Sequence, residues 1–191
     1  MIVATGGLIG DTVIICGGED SGSFVDGSYD VDECYSLTSE KATLVTHMSV
    51  SRVFTASVVI HDNTLWVTGG YGGGRLASTE YVTVTGTMLG PDLPVPLTRH
   101  AMVAINSTCS MVIGGCCYYP ASTFFYDHNE DEWINGPSLM QARFGHAAGI
   151  VTDEVTDEHF VAVTGGSGLM DSTEILQDGE WVPGKINNTV S

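Results

Sequence analysis

The fold is decided by one stretch of the chain, residues 143–181, which reads RFGHAAGIVTDEVTDEHFVAVTGGSGLMDSTEILQDGEW. An arginine and a histidine open this stretch, and an apolar run inside it leads to Gly165-Gly166. Ser172-Thr173-Glu174 follows, and Trp181 ends it. Most of these landmarks recur in the same order elsewhere in the chain, which indicates a protein built from repeats.

The Gly-Gly pairs define the period of the repeat. Their second glycines lie at positions 18, 70, 115 and 166, so the spacings are 52, 45 and 51 residues. Glycine at a strand end allows positive φ, which lets the backbone leave the sheet sharply. We therefore predict a structural role for all eight of these residues: Gly17, Gly18, Gly69, Gly70, Gly114, Gly115, Gly165 and Gly166.

The arginine landmark varies between the repeats. Arg52 and Arg143 each precede a strand of small and apolar residues. When His100 is aligned with His146, Leu97 takes the arginine position in the third repeat, and Arg99 comes two residues later. The first repeat has neither the arginine nor the histidine.

The secondary structure is predicted to be entirely β. Val and Thr dominate the short apolar runs, Gly, Asn and Asp separate them, and no stretch keeps a helical period. Each repeat contains four such runs, and four-stranded units at this period are typical of a β-propeller. We predict a single domain over residues 1–191, with repeats at 1–50, 51–96, 97–142 and 143–191.

These landmarks resemble the kelch motif. The clearest copy is the stretch quoted above, and the copy from His100 through Gly114-Gly115 to Trp133 is nearly as good. The resemblance covers the whole chain and implies a kelch-type β-propeller fold with four four-stranded antiparallel blades. Kelch propellers usually close with six or seven blades, so four copies favour a part of a longer polypeptide over an unusual closure. An incomplete propeller exposes apolar blade faces, from which we expect self-association.

Composition and charge exclude several classes of partner. The 191 residues include 23 Asp and Glu against 6 Lys and Arg, a formal net charge of −17. Nucleic acids and anionic membranes select for positive charge, so we expect neither as a partner. No apolar run approaches the ~18 residues of a membrane span, so we expect no membrane insertion.

The five cysteines leave the redox state open. Their odd number, with no C-x-x-C among them, weakens both a disulfide framework and a zinc ribbon. Cys109 lies across a predicted hairpin from Cys116 and Cys117 and could pair with one of them in an oxidising compartment, or stay a half-buried thiol.

No catalytic, metal-binding or cofactor-binding motif stands out. The glycine-rich segments do not match a nucleotide loop, and the acidic clusters do not follow the spacing of a calcium-binding EF-hand. We therefore predict no cofactor and no metal, and interpret the acidic clusters as solvated loops. The alternative is a carbohydrate-active enzyme on the kelch fold, of sugar-oxidase or sialic-acid-mutarotase type, which requires a convergent pocket of carboxylate, arginine and tyrosine.

The resemblance also implies a binding surface. Kelch proteins that recognise partners commonly use the loops after Gly-Gly and after the blade-opening arginine, which lie on one face. On this sequence those loops contain Tyr71, Arg75, Tyr118, Tyr119, Leu169 and Met170, together with Phe54, Arg99 and Phe144. These residue types are enriched at interfaces. We predict a non-catalytic interaction scaffold for a protein partner, whose bound segment is apolar and acidic.

Overall fold

The computed structural model describes residues 4–18, 31–61, 63–116, 121–153, 155–167, 169 and 171–184. Within these ranges every regular element is a β-strand, and the strands form four four-stranded antiparallel sheets. The predicted all-β class and the four four-stranded antiparallel units are thereby confirmed. No helix in the described ranges is long and apolar enough to cross a membrane.

We refer to the sheets as blades 1 to 4. Blade 1 contains β1 (Thr5–Ile9), β2 (Thr12–Cys16), β3 (Glu33–Leu37) and β4 (Ala42–His47). Blade 2 contains β5 (Ala56–Ile60), β6 (Thr64–Thr68), β7 (Thr79–Thr83) and β8 (Gly86–Gly90). Blade 3 contains β9 (Ala101–Asn106), β10 (Cys109–Ile113), β11 (Thr123–Asp127) and β12 (Glu132–Asn135). Blade 4 contains β13 (Ala147–Thr152), β14 (His159–Thr164), β15 (Thr173–Gln177) and β16 (Glu180–Pro183).

The topology is the same in every blade. Each strand pairs with the next strand of the chain, so all four sheets are simple meanders. One blade lies within each of the repeats defined by the sequence. The registers also correspond: Val67 of β6 faces Glu80, Val112 of β10 faces Phe124, and Val163 of β14 faces Glu174. Equivalent residues of different blades can therefore be compared directly.

The chain forms two compact units. The first, Met1–Arg99, holds blades 1 and 2, and the second, His100–Ser191, holds blades 3 and 4. In the first unit apolar residues of both blades share one core, which includes Ile9, Ile14, Met48, Leu65, Val67 and Val82. The core of the second unit includes Val103, Met111, Ile113, Leu139, Val161, Val163 and Trp181. Both cores join adjacent blades, as expected for sheets that cannot bury their faces alone.

The Gly-Gly pairs have the backbone conformation that glycine alone adopts readily. All eight glycines have positive φ, with values from 55° to 112°. Gly70 also permits a close approach of two loops, because a Cβ atom there would lie 2.5 Å from Thr55 Cγ2 and 2.7 Å from the carbonyl oxygen of Val53. A side chain at position 70 would push the two loops apart.

The argument against disulfides from cysteine number was wrong, because Cys16, Cys34 and Cys116 are all disulfide-bonded. Cys16 and Cys34 form a disulfide between β2 and β3, and both residues are fully buried. They are direct cross-strand partners. In blade 4 the equivalent partners are Thr164 and Thr173, whose hydroxyls are hydrogen-bonded at 3.1 Å. A buried structural disulfide is typical of proteins that fold in an oxidising compartment.

Candidate functional site

In the first unit, two loops that the resemblance implicates in binding are hydrogen-bonded together. Val53 and Tyr71 exchange backbone hydrogen bonds, with N···O distances of 2.9 Å and 2.8 Å. Tyr71 in turn forms a β-bridge with Arg75 across a turn of three glycines. Because bridge partners project to the same side, Tyr71 and Arg75 present their side chains together.

Arg99 joins this arrangement from the segment that opens the next blade. Its guanidinium carbon lies 4.2 Å from the centroid of the Phe54 ring, which is the geometry of a cation–π interaction. Its backbone N–H also donates to the carbonyl oxygen of Phe54 at 2.8 Å. We call Phe54, Tyr71, Arg75 and Arg99 the loop cluster.

Phe54 and Arg99 occupy the same position in successive blades. Each lies two residues after the arginine position, and each has left-handed backbone, with φ of 56° for Phe54 and 55° for Arg99. Blade 4 has Gly145 there, with φ of 63°. Left-handed backbone is unfavourable for a residue with a side chain and persists only where neighbouring structure enforces it. Strain of this kind is typical of functional positions.

The loop cluster contains two of the six Lys and Arg residues of the chain. The chain has four arginines, of which Arg52 and Arg143 are fully buried. The other two, Arg75 and Arg99, are exposed and both belong to the cluster. Tyr71, the bridge partner of Arg75, is 45% exposed. A chain of net charge −17 therefore presents an aromatic patch with two cations.

The two buried arginines, Arg52 and Arg143, donate hydrogen bonds to the Gly-Gly turns of their own blades. Arg52 donates to the carbonyl oxygens of Gly69 and Ser78 at 3.0 Å and 2.9 Å, and to the Glu80 carboxylate at 2.7 Å. Glu80 also accepts the backbone N–H of Ser49 at 2.7 Å. Burial lowers the pKa of the Arg52 guanidinium, and the charge of Glu80 opposes that shift. The network ties the blade-opening loop to β7 and to the Gly-Gly turn.

Blade 4 has the same arginine–glutamate network as blade 2, whereas the third repeat has apolar residues at both positions. Arg143 donates to Gly165 O at 2.8 Å and to the Glu174 carboxylate at 2.7 Å. In blade 3 the arginine position holds Leu97 and the glutamate position holds Phe124, both buried. The glutamate partners were not predicted from the sequence, although Glu80 and Glu174 occur in the same Ser-Thr-Glu landmark.

Two of the remaining predicted binding residues are described, and both belong to the second unit. These residues are Phe144 and Leu169. The carbonyl oxygen of Phe144 accepts the backbone N–H of Ser167 at 3.0 Å, and the backbone N–H of Leu169 donates to the carbonyl oxygen of Gly166 at 3.1 Å. Tyr118, Tyr119 and Met170 lie outside the described residues. The structure thus brings together Phe54, Tyr71, Arg75 and Arg99 of the predicted set.

Two histidines of the second unit, the buried His100 and the half-buried His146, are neutral near pH 7. Burial, together with the neighbouring His146, lowers the pKa of His100 to about 3. Burial and the nearby Arg143 charge lower the pKa of His146 to about 4. Neither imidazole carries a proton charge near neutral pH. Among the described residues, no group of three or more His, Cys, Asp or Glu side chains could hold a metal ion.

Cys109 is a free cysteine of intermediate exposure. Of the two alternatives left by the sequence, it is therefore the half-buried thiol. Burial and the nearby Asp127 charge raise its pKa, which keeps the thiol protonated and slow to react.

No protein-family model matches the chain, and no curated protein sequence matches it significantly. We therefore infer the function from the loop cluster and from the Arg52 network that holds its loops in place.

Proposed function

We propose that the chain is a non-catalytic protein-interaction scaffold of kelch type, and that the loop cluster binds an apolar and acidic segment of a protein partner. The observation that carries the proposal is the Arg99 guanidinium stacked at 4.2 Å on Phe54, with both residues in left-handed backbone. An exposed cation and an aromatic ring are held there at a cost in backbone energy, which favours a role in recognition.

The rigidity of the cluster supports this role. Tyr71 is fixed by two backbone hydrogen bonds to Val53, and Arg99 by one to Phe54. A surface ordered before binding loses less conformational entropy when the partner arrives. Tyr and Arg are also the residue types that most often dominate interface energies.

Charge supports an acidic partner segment. Arg75 and Arg99 are the two exposed arginines of a chain with a net charge of −17, and their guanidinium groups can form charge-assisted hydrogen bonds with a carboxylate. An acidic residue flanked by apolar residues would find a guanidinium and an aromatic surface together. A segment of uniformly high negative charge would be repelled by the rest of the molecule.

A selection experiment with displayed peptides tests the proposal. The intact chain is immobilised, and a random peptide library is panned against it. We expect selected sequences in which Asp or Glu lies next to aromatic or aliphatic residues. Their affinities are then measured for the wild type and for the triple variant Tyr71→Ala/Arg75→Ala/Arg99→Ala, in which we expect at least a tenfold loss.

The matched control is Lys41→Ala/Met88→Ala/Leu89→Ala, which removes one basic and two apolar side chains from exposed positions outside the cluster. Its affinity should equal that of the wild type, and both triple variants should keep the wild-type melting temperature. Selected peptides that bind the loop-cluster variant as tightly as the wild type would overturn the proposal. Turnover of a sugar substrate by the intact chain would instead favour the carbohydrate-active alternative.

A further inference from the structure

The turn between β9 and β10 of blade 3 carries a sequence motif that the loop cluster does not use. The motif is Asn106-Ser107-Thr108, which has asparagine, a residue other than proline, and threonine in that order. This order is the acceptor sequence for an N-linked oligosaccharide in proteins of the secretory pathway. Because so short a motif also occurs by chance, the structure around it decides whether a glycan fits there.

All three residues of the motif are exposed. Ser107 and Thr108 form the turn, and Asn106, the last residue of β9, pairs with Cys109, the first residue of β10. The carbonyl oxygen of Thr108 accepts the N–H of His128 at 2.9 Å, which fixes the turn to the end of β11. Since the Asn106 side chain lies at the surface, a large group attached to it displaces no buried residue.

Two hydrogen bonds orient the amide of Asn106. Its Oδ1 accepts the backbone N–H of Thr108 at 2.9 Å and the hydroxyl of Thr108 at 3.0 Å. Because a backbone N–H can only donate, the atom that it contacts is the amide oxygen, and the other atom is the nitrogen Nδ2. Nδ2 has no hydrogen-bond partner among the residues that the structure describes. The atom that carries an N-linked glycan is thus the one that these contacts leave unbonded.

The disulfides indicate the compartment in which the chain folds. Cys16 and Cys34 form a fully buried disulfide, and Cys116 is also disulfide-bonded. Disulfides form and persist in the secretory pathway and are rare in the cytosol. N-linked oligosaccharides are attached in that same pathway. A chain that acquires these disulfides therefore passes the enzyme that would modify Asn106.

We propose that Asn106 is an acceptor for N-linked glycosylation, and that the attached glycan covers the thiol of Cys109. The donor is an oligosaccharide joined to a lipid through pyrophosphate. A bond forms between Asn106 Nδ2 and the anomeric carbon of the sugar, and the bond from that carbon to the pyrophosphate oxygen breaks. The lipid pyrophosphate leaves with the bonding electrons, and one proton of Nδ2 passes to a base. This modification lies in the second unit and goes beyond the binding role of the loop cluster.

The register of the hairpin places Cys109 beside the glycan. Cys109 is the cross-strand partner of Asn106, and cross-strand partners project to the same side of a sheet. It is a free cysteine of intermediate exposure, whereas the other described cysteines are disulfide-bonded. A leftover thiol in a secreted protein is liable to pair with another molecule. An oligosaccharide on the neighbouring residue restricts the access of large molecules to this thiol.

The position of the motif leaves the other end of blade 3 uncovered. Strand β10 begins next to the motif at Cys109 and ends at Ile113, directly before Gly114-Gly115. The glycan and the Gly-Gly turn are therefore at opposite ends of this strand. Within blade 3, a sugar on Asn106 does not obstruct the loop that follows Gly-Gly.

Peptide mass mapping of the full chain tests the proposal. The chain is expressed behind a cleavable secretion signal in cultured animal cells, with Asn187→Gln to remove the other motif of this kind in the sequence. We expect a glycan at Asn106, and its release by peptide-N-glycosidase F should convert Asn106 to aspartate. The cells and the medium are both analysed, so that chains retained inside the cells are scored as well.

The matched variants change one position of the motif at a time. Asn106→Gln and Thr108→Ala should each abolish the glycan, whereas Ser107→Ala, at the exposed middle position, should keep it. Asn63 is an internal control, because it is exposed in the equivalent turn of blade 2 but has Leu65 where the motif requires a hydroxyl. We expect Asn63 to remain unmodified.

Two results would overturn the assignment of Asn106. The first is an unmodified Asn106 in the expressed chain, or a glycan at Asn106 that persists in Thr108→Ala. The second is a folded, secreted chain in which Cys16 and Cys34 are reduced, because the argument for the secretory pathway would then fail. Circular dichroism melts before and after removal of the glycan should coincide, since the sugar contacts no buried residue.

The covering of Cys109 is tested by the rate at which it reacts with a maleimide coupled to polyethylene glycol. The folded chain is compared before and after removal of the glycan, and we expect the reaction to be about threefold faster after removal. A small reagent, methyl methanethiosulfonate, should react at the same rate in both samples. Cys109→Ser gives the background from other groups. Equal rates with the large maleimide would show that the glycan does not cover the thiol and would overturn that half of the proposal.

Discussion

The guanidinium of Arg52 lies 2.7 Å from the carboxylate of Glu80, and both side chains are almost completely shielded from solvent. The same pair recurs as Arg143 and Glu174 in blade 4, also at 2.7 Å. At the equivalent positions the third repeat has two buried apolar residues, Leu97 in the first unit and Phe124 in the second. The two positions therefore hold a buried ion pair in two repeats and apolar residues in a third.

Breaking the ion pair should destabilise the protein strongly. Arg52→Leu leaves the Glu80 carboxylate buried without its cation, and we expect a loss of about 3–5 kcal/mol in the free energy of unfolding. Denaturant unfolding of the variant and the wild type measures the difference. A loss below about 1 kcal/mol would contradict a structural role for the pair.

Blade 2 should tolerate the apolar residues that the third repeat has at these positions. Glu80 also accepts the N–H of Ser49, and the equivalent residue in blade 3 is Pro94, which has no N–H to satisfy. We expect the triple variant Ser49→Pro/Arg52→Leu/Glu80→Phe to recover most of the stability lost in Arg52→Leu, since apolar replacement of a buried ion pair is often neutral. Additive losses in the triple variant would show that the blades do not exchange these residues.

Replacing Phe54 or Arg99 with glycine should reduce peptide binding without reducing the free energy of unfolding. Phe54→Gly and Arg99→Gly place at these positions the residue that blade 4 has at position 145, which removes about 1–2 kcal/mol of left-handed strain. The lost stacking and packing offset that gain, so we expect unfolding free energies near the wild-type value. Binding of the peptides selected on the loop cluster should fall at least tenfold. A large loss of stability without loss of binding would identify a structural role instead.

Stability should fall as the pH is lowered through the range where the unfolded histidines titrate. His100 and His146 have folded pKa values of about 3 and about 4, below the unfolded value of about 6.5. Between pH 6.5 and 4 the unfolded chain therefore binds more protons, and the free energy of unfolding decreases with falling pH by up to about 1.4 kcal/mol per pH unit for each histidine.

The contribution of one histidine can be isolated by substitution. Thr55 occupies in blade 2 the position of His146, so His146→Thr is the matched variant. Its unfolding free energy should depend less steeply on pH than that of the wild type between pH 6.5 and 4. Equal slopes would mean that His146 titrates alike in the folded and unfolded chain.

The disulfide should be replaceable by the threonine pair of blade 4. Cys16→Ala/Cys34→Ala should cost about 3 kcal/mol, because a loop of this length is no longer closed in the unfolded chain and a small cavity is left. We expect Cys16→Thr/Cys34→Thr to lose less, since Thr164 and Thr173 form a cross-strand hydrogen bond at the same positions. Thermal melts of both variants, with the reduced wild type as reference, measure this.

The repeat pattern was sufficient to predict the strands, because Gly-Gly, the third-strand landmark and the apolar runs are local signals with a fixed order. It also placed Leu97 at the arginine position, where the structure has it buried and its carbonyl bonded to Gly70 N–H at 2.8 Å. The cysteine count, in contrast, ignored register. Cys16 precedes Gly-Gly and Cys34 lies in the third-strand landmark, so an alignment of the blades would have paired them.

The site was predictable only in part. Loop membership indicated Phe54, Tyr71, Arg75 and Arg99, but not that Arg99 stacks on Phe54, because that contact joins residues 45 positions apart through backbone conformations without a sequence signature.

The meander topology has a consequence for biosynthesis. Every strand pairs with its neighbour in the chain, so a blade can complete its own hydrogen bonds as soon as its four strands have left the ribosome. Its apolar faces, however, stay uncovered until the next blade is made, as Met48 and Leu139 lie in cores shared by two blades. Each newly completed blade is therefore a transient hydrophobic intermediate, and the interval before the following blade emerges is when the nascent chain is most exposed to aggregation and most in need of a chaperone.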